Sequence, residues 1–108
     1  MTYYLFLAAA IVLEVIATTL LKASNGFTVL IPAASSLLLY AVSFYCLSIC
    51  LTHVPTGVAY AIWSGFGIIL ITILSFLIFK QTLDIPAITG IVLIITGVVI
   101  MQLFSKTV

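Results

Sequence analysis

A chain of 108 residues fits one domain by length, yet at 66% hydrophobic and 5% charged, with a mean hydropathy of +1.53, it lies outside the range of soluble domains. Three Lys, two acidic residues, one His and no Arg cannot clothe a water-facing surface, so this is an integral membrane protein and not an enzyme built on paired carboxylates or a triad. A formal charge of +1 without any basic run excludes nucleic acid as a partner, and no cofactor is called for.

Apolar runs of about 20 residues cross a hydrocarbon core as helices. Four are present, roughly Tyr3 to Leu21, Leu30 to Leu51, Gly57 to Phe79 and Ile85 to Phe104, and they form a single transmembrane domain over 1–108. The first is read as a true span: no Lys or Arg precedes it, Glu14 interrupts it, and three more apolar blocks follow. Counting 100° per residue, Tyr3, Leu7, Ala10, Ala17, Thr18 and Leu21 lie within about 60° of Glu14. The small residues on that stripe admit a helix or a ligand close to the acid.

The gap Lys22-Ala23-Ser24-Asn25-Gly26 carries an Asn-Gly turn signal, and Pro32 sits in the first turn of the second span. In that span Tyr40, Ser43, Phe44 and Leu47 make a stripe suited either to lining a site or to ordinary helix packing. Cys46 and Cys50, inside an apolar block, are expected to be free thiols. They share a face with His53, but three donors at one helix end without a second element fall short of a metal site, so none is expected.

After Thr52-His53-Val54-Pro55-Thr56 the third span places Tyr60, Trp63 and Gly67 on one face. Aromatic faces there attract a cation through their quadrupole; an interfacial aromatic belt is the competing reading, better for Tyr60 than for Trp63. Gly65 and Gly67 leave backbone uncovered and mark a kink or hinge. Lys80-Gln81-Thr82-Leu83-Asp84 then leads to the last span, with Asp84 placed to cap it and Pro86 in its first turn. Gly90 and Gly97, seven residues apart, share a face that permits close approach of another helix, which suits a dimer contact.

Short gaps make antiparallel neighbours, hence an all-α four-helix hairpin bundle among membrane lipids. Lys22 and Lys80 fall on one side, His53, Lys106 and the amino terminus on the other. Orientation follows Lys/Arg asymmetry between short loops. That asymmetry is close to nil, which predicts insertion both ways round.

A carboxylate at mid-span costs about 2.5–3.5 kcal/mol on the lenient insertion scale, so it is a functional group by default. No Arg and no intramembrane Lys is available at its depth. An ionised carboxylate out of water needs a cation. Competition of a proton and an organic cation for Glu14 is the minimal device for exchanging the two. The competing reading makes Glu14 an interhelical glue in a non-transporting membrane assembly subunit.

The run Leu13-Glu14-Val15-Ile16-Ala17-Thr18-Thr19-Leu20-Leu21-Lys22, then Gly26-Phe27-Thr28, and later Pro55-Thr56-Gly57-Val58-Ala59-Tyr60-Ala61-Ile62-Trp63-Ser64-Gly65 closely resemble the small multidrug resistance transporters. The resemblance covers the whole chain. It implies an antiparallel homodimer in the bacterial inner membrane that exports lipophilic aromatic and quaternary ammonium cations, antiseptics included, in exchange for protons by alternating access. It makes Glu14 the shared proton and substrate site, with Tyr4, Leu7, Ala10, Thr18, Tyr40, Tyr60 and Trp63 around it, and Gly90 and Gly97 the dimerising pair. A guanidinium or polyamine exporter of the same fold is the alternative within transporters. Members resembling guanidinium exporters tend to carry Trp at the place of Ala17 and Thr at that of Ser64, whereas drug exporters usually have Gly at the place of Ala17. The helical wheel favours Tyr3 over Tyr4 for the Glu14 face, while the resemblance picks Tyr4.

Overall fold

The structure, a computed structural model, describes residues 2–106. Four helices follow in order, α1 Thr2–Ala23, α2 Leu30–Leu51, α3 Thr56–Phe79 and α4 Ile85–Phe104, and the described residues contain no strand. Each is long and apolar enough to cross a membrane. At a rise of about 1.5 Å per residue, even the shortest reaches about 30 Å, the thickness of a hydrocarbon core. The ends of α2 and α4 fall where the apolar runs end; α1 continues to Ala23, past Leu21, and α3 begins at Thr56 instead of Gly57. Pro55, with φ −54°, gives its carbonyl to the Ala59 amide at 2.9 Å and so starts α3 a residue early.

The chain divides into two compact units, the first ending at His53 and the second beginning at Val54. In the first, α1 and α2 run antiparallel. Leu7, Ala10, Ile11, Val15 and Ala17 of α1 and Ala33, Ser36, Ser43 and Cys50 of α2 are buried. Small side chains dominate that set, as they must where lipid supplies no hydrophobic drive and helices are held by close packing. Both buried α2 serines find acceptors: Ser36 donates to the Ala33 carbonyl at 2.9 Å, and Ser43 crosses to the Ala10 carbonyl of α1 at 2.7 Å.

The turn joining α1 to α2 is organised by Ser24, which is fully buried. Its hydroxyl donates to the Leu21 carbonyl at 2.6 Å and accepts the Phe27 amide at 3.1 Å, and its carbonyl receives the amides of Thr28 and Val29, each at 3.0 Å. Three consecutive residues, Asn25, Gly26 and Phe27, have φ of 51°, 68° and 66°. The Asn-Gly signal therefore marks a left-handed turn, which Asn and Gly enter readily and which Phe27 enters against its own preference.

In the second unit α3 and α4 meet more sparingly. Val98 is the buried residue that α4 contributes. It lies against Gly65, where a Cβ would stand 3.0 Å from Val98 Cγ2. A cavity of about 40 Å³ borders that contact, lined by Gly65, Phe66, Ile69, Ile95, Val98 and Val99. α3 closes with Lys80 in the left-handed conformation, φ 56°, and the Gln81 amide returning to the Ser75 carbonyl at 3.2 Å. α4 opens as the sequence indicates: Asp84 accepts the Ala87 amide at 3.0 Å on Oδ1, with Pro86 in the first turn.

Candidate functional site at Glu14

Glu14 lies near the middle of α1, half-buried, with its carboxyl group turned along the helix toward Thr18. The spacing of four residues stacks the two side chains on one face, and the Thr18 hydroxyl donates to Glu14 Oε1 at 2.9 Å. Thr18 Oγ1 is also 2.6 Å from the Tyr40 phenol oxygen of α2. A threonine hydroxyl has one proton. With that proton on the carboxylate, the second bond must be donated by Tyr40, so the order runs Tyr40 to Thr18 to Glu14. One hydroxyl, that of Thr18, thus ends on the carboxylate and is itself backed by Tyr40, and hydrogen bonds that end on a charged group are stronger than neutral ones.

The remaining α1 residues of the stripe differ in accessibility. Leu7, Ala10 and Ala17 are closed off, the Ala17 methyl completely, whereas Tyr4 is exposed on its helix. Tyr3 turns elsewhere: its ring stacks on His53 at the end of α2, centroids 3.9 Å apart and planes 17° from parallel, and the Thr52 hydroxyl lies 2.9 Å from His53 Nδ1. The wheel's preference for Tyr3 on the Glu14 face meets this competing partner, which no periodicity within α1 could reveal. On α2, Tyr40 and Phe44 stack with centroids 6.1 Å apart, Phe44 being exposed. Ser43 is fully buried with its hydroxyl proton on the Ala10 carbonyl. Cys46 and Cys50 are free thiols.

In the second unit Tyr60 and Trp63 form a tilted pair, centroids 5.6 Å apart at 49°, with Tyr60 exposed. One helical turn separates them. α3 is helical without a break through Gly65 and Gly67. At Gly65 the missing side chain serves close packing by Val98. Gly90 and Gly97 of α4 meet nothing within 4 Å of where a Cβ would be, leaving that helix face open.

Comparison with known proteins gives a consistent result. Residues 2–94 match the family model described as Small Multidrug Resistance protein. The chain is 50% identical to the multidrug transporter EmrE of Escherichia coli K12 over 107 residues, 99% of this chain and 97% of that protein. It is similar also to the quaternary ammonium compound-resistance protein QacE of Escherichia coli, 50% identical over 95% of this chain and 94% of that one. QacH of Staphylococcus saprophyticus, a protein of the same description, is 41% identical over 96% and 97%.

Proposed function

Because this chain belongs to the Small Multidrug Resistance family, we propose that it exports its substrates by exchanging them against protons at Glu14. The chain is a multi-pass membrane transporter of multiple drugs and quaternary ammonium compounds, and not an enzyme. The proton exchange, the antiparallel homodimer and the bacterial inner membrane are the further parts of the reading.

The single observation that carries it is the mid-span carboxylate of Glu14, which accepts from Thr18, with Tyr40 in turn bonded to Thr18. Ionised, the group is a fixed negative charge with an ordered set of donors and can bind a cation. Protonated, it loses that charge and releases the cation. A carrier in which one site holds either a proton or a substrate, never both, exchanges them by mass action and reciprocal linkage. Lipophilic aromatic and quaternary ammonium cations suit the environment better than guanidinium. Leu7, Ala10 and Ala17 of the same helix are apolar and closed off and so offer no acceptors, and a small hydrated cation needs several acceptors to replace its water. Tyr60 and Trp63 are proposed to hold the flat apolar frame of such cations, at about 0.5–2 kcal/mol for each ring. Gly90 and Gly97 are proposed as the small-residue seam between two copies of α4.

The decisive experiment is Glu14→Gln in purified protein and in vesicles. The unsubstituted chain should release protons when tetraphenylphosphonium is added in detergent, and should take it up into vesicles against a proton gradient. The variant should insert and fold but do neither. Proton-driven uptake by Glu14→Gln at the unsubstituted rate would end the proposal.

A further inference from the structure

We propose that Ser43 is a positioning residue, which holds Glu14 in place through the Ala10 carbonyl and does not itself touch the transported cation; the inference rests on the exchange reading of Glu14. The Ser43 hydroxyl lies 2.7 Å from the Ala10 oxygen, and both residues are fully buried. Its single proton is therefore committed, and none of its surface remains for a ligand. The sequence alone places Ser43 in a stripe with Tyr40 and Phe44 and suggests a lining role. The structure gives it a different partner.

The identity of that partner is what matters. In an α-helix the carbonyl of residue i accepts the amide of residue i+4, so the Ala10 carbonyl is the one that holds the Glu14 amide. Ser43 thus bonds to the acceptor of Glu14's own backbone, one turn before the acid. Tyr40, one turn from Ser43 on the same helix face, bonds to Thr18, one turn after the acid. Two side chains of α2 grip α1 on either side of Glu14. Together they fix both the height and the rotation of α1 at that depth, and with them the direction in which the carboxyl group points. Serine suits the place: it is the smallest residue with a hydroxyl, and opposite Ala10 it lets the helices approach closely enough for a bond to the backbone.

Two measurements test this. The first reads the bond itself. Protein assembled from ligated segments, with a single isotope-labelled carbonyl at Ala10 or at Ala9, should show the Ala10 amide I band at the lower frequency, since that oxygen receives two hydrogen bonds and Ala9 only the helical one. Ser43→Ala should raise the Ala10 band and leave the Ala9 band unmoved. The second compares the unsubstituted chain and Ser43→Ala in binding tetraphenylphosphonium, which has no hydrogen-bonding group, and ethidium, which carries amino groups. A carboxyl group no longer held in place is expected to bind about fivefold more weakly, which is about 1 kcal/mol. Positioning predicts that loss for both cations alike in Ser43→Ala, with an unchanged number of sites. A loss confined to ethidium would mean direct contact, and overturns the proposal. So would coincident amide I bands for the two labels, or unchanged affinity alongside lowered resistance to unfolding. If the unsubstituted chain bound neither cation, the exchange reading itself would fall, and the infrared comparison would still report on the bond.

Discussion

Gly65→Ala is the substitution whose energetic outcome follows most directly from the geometry. The new methyl would stand 3.0 Å from Val98 Cγ2 and 3.7 Å from Val98 Cβ. The second distance is ordinary contact. The first requires Val98, or α4 with it, to withdraw by a few tenths of an ångström. Overpacking of this kind costs about 1–3 kcal/mol, opposed by a gain of up to about 1 kcal/mol from replacing Gly in a helix. Removing Cγ2 by Val98→Ala should abolish the first term and retain the second. Val98→Ala removes both γ-methyls and widens the cavity they border, a cost of its own that the single variant measures and the cycle subtracts. The double-mutant cycle should therefore show a favourable coupling of about 1–3 kcal/mol between the two substitutions. Trp63, the chain's single Trp, stands two residues from Gly65 and provides the fluorescence signal for unfolding by sodium dodecyl sulfate. A coupling near zero would show that Gly65 and Val98 do not meet in the folded protein, and with it that α4 is held in some other way.

Two further outcomes follow from the loops. Asp84→Ala should cost about 1 kcal/mol in the same unfolding assay, while Asp84→Ser should recover most of it, because the side chain's task is to accept the Ala87 amide. With Lys22 and Lys80 opposed by Lys106 and the amino terminus, carboxy-terminal tags should report both sides of the membrane in similar amounts. One or two lysines added near Thr56 should convert that mixture to a single orientation, measured by accessibility labelling.

Much of the fold can be read from the spacing of polar residues, because a bilayer imposes a length on every span and leaves the breaks visible. Pro86 and Asp84 locate the start of α4 to the residue. The position of Glu14 and its alignment with Thr18 also follow from one helix's own period. What periodicity does not carry is the pairing between helices. Nearly every face of these spans is apolar, so no polar stripe indicates which side of α2 meets α1. Tyr40 and Ser43 look alike as members of one stripe, yet the first reaches Thr18 and the second the Ala10 backbone. Tyr3 lies on the Glu14 side of the wheel, yet its ring rests on His53, fifty residues away in the chain. Gly65 suggests a hinge by composition; only the approach of Val98 gives its bare backbone a packing role.

The turn between α1 and α2 has a consequence for insertion. Ser24 gathers the Leu21 carbonyl and the amides of Phe27, Thr28 and Val29 onto its own two oxygens. The chain reversal therefore holds these backbone groups from within, without calling on counter-ions or a particular compartment's solutes. Such a hairpin is equally well closed whether it emerges into the cell's interior or beyond its boundary. A protein whose loops barely favour one side needs turns of this kind, since any reversal that depended on the chemistry of one aqueous phase would destabilise every copy inserted the other way.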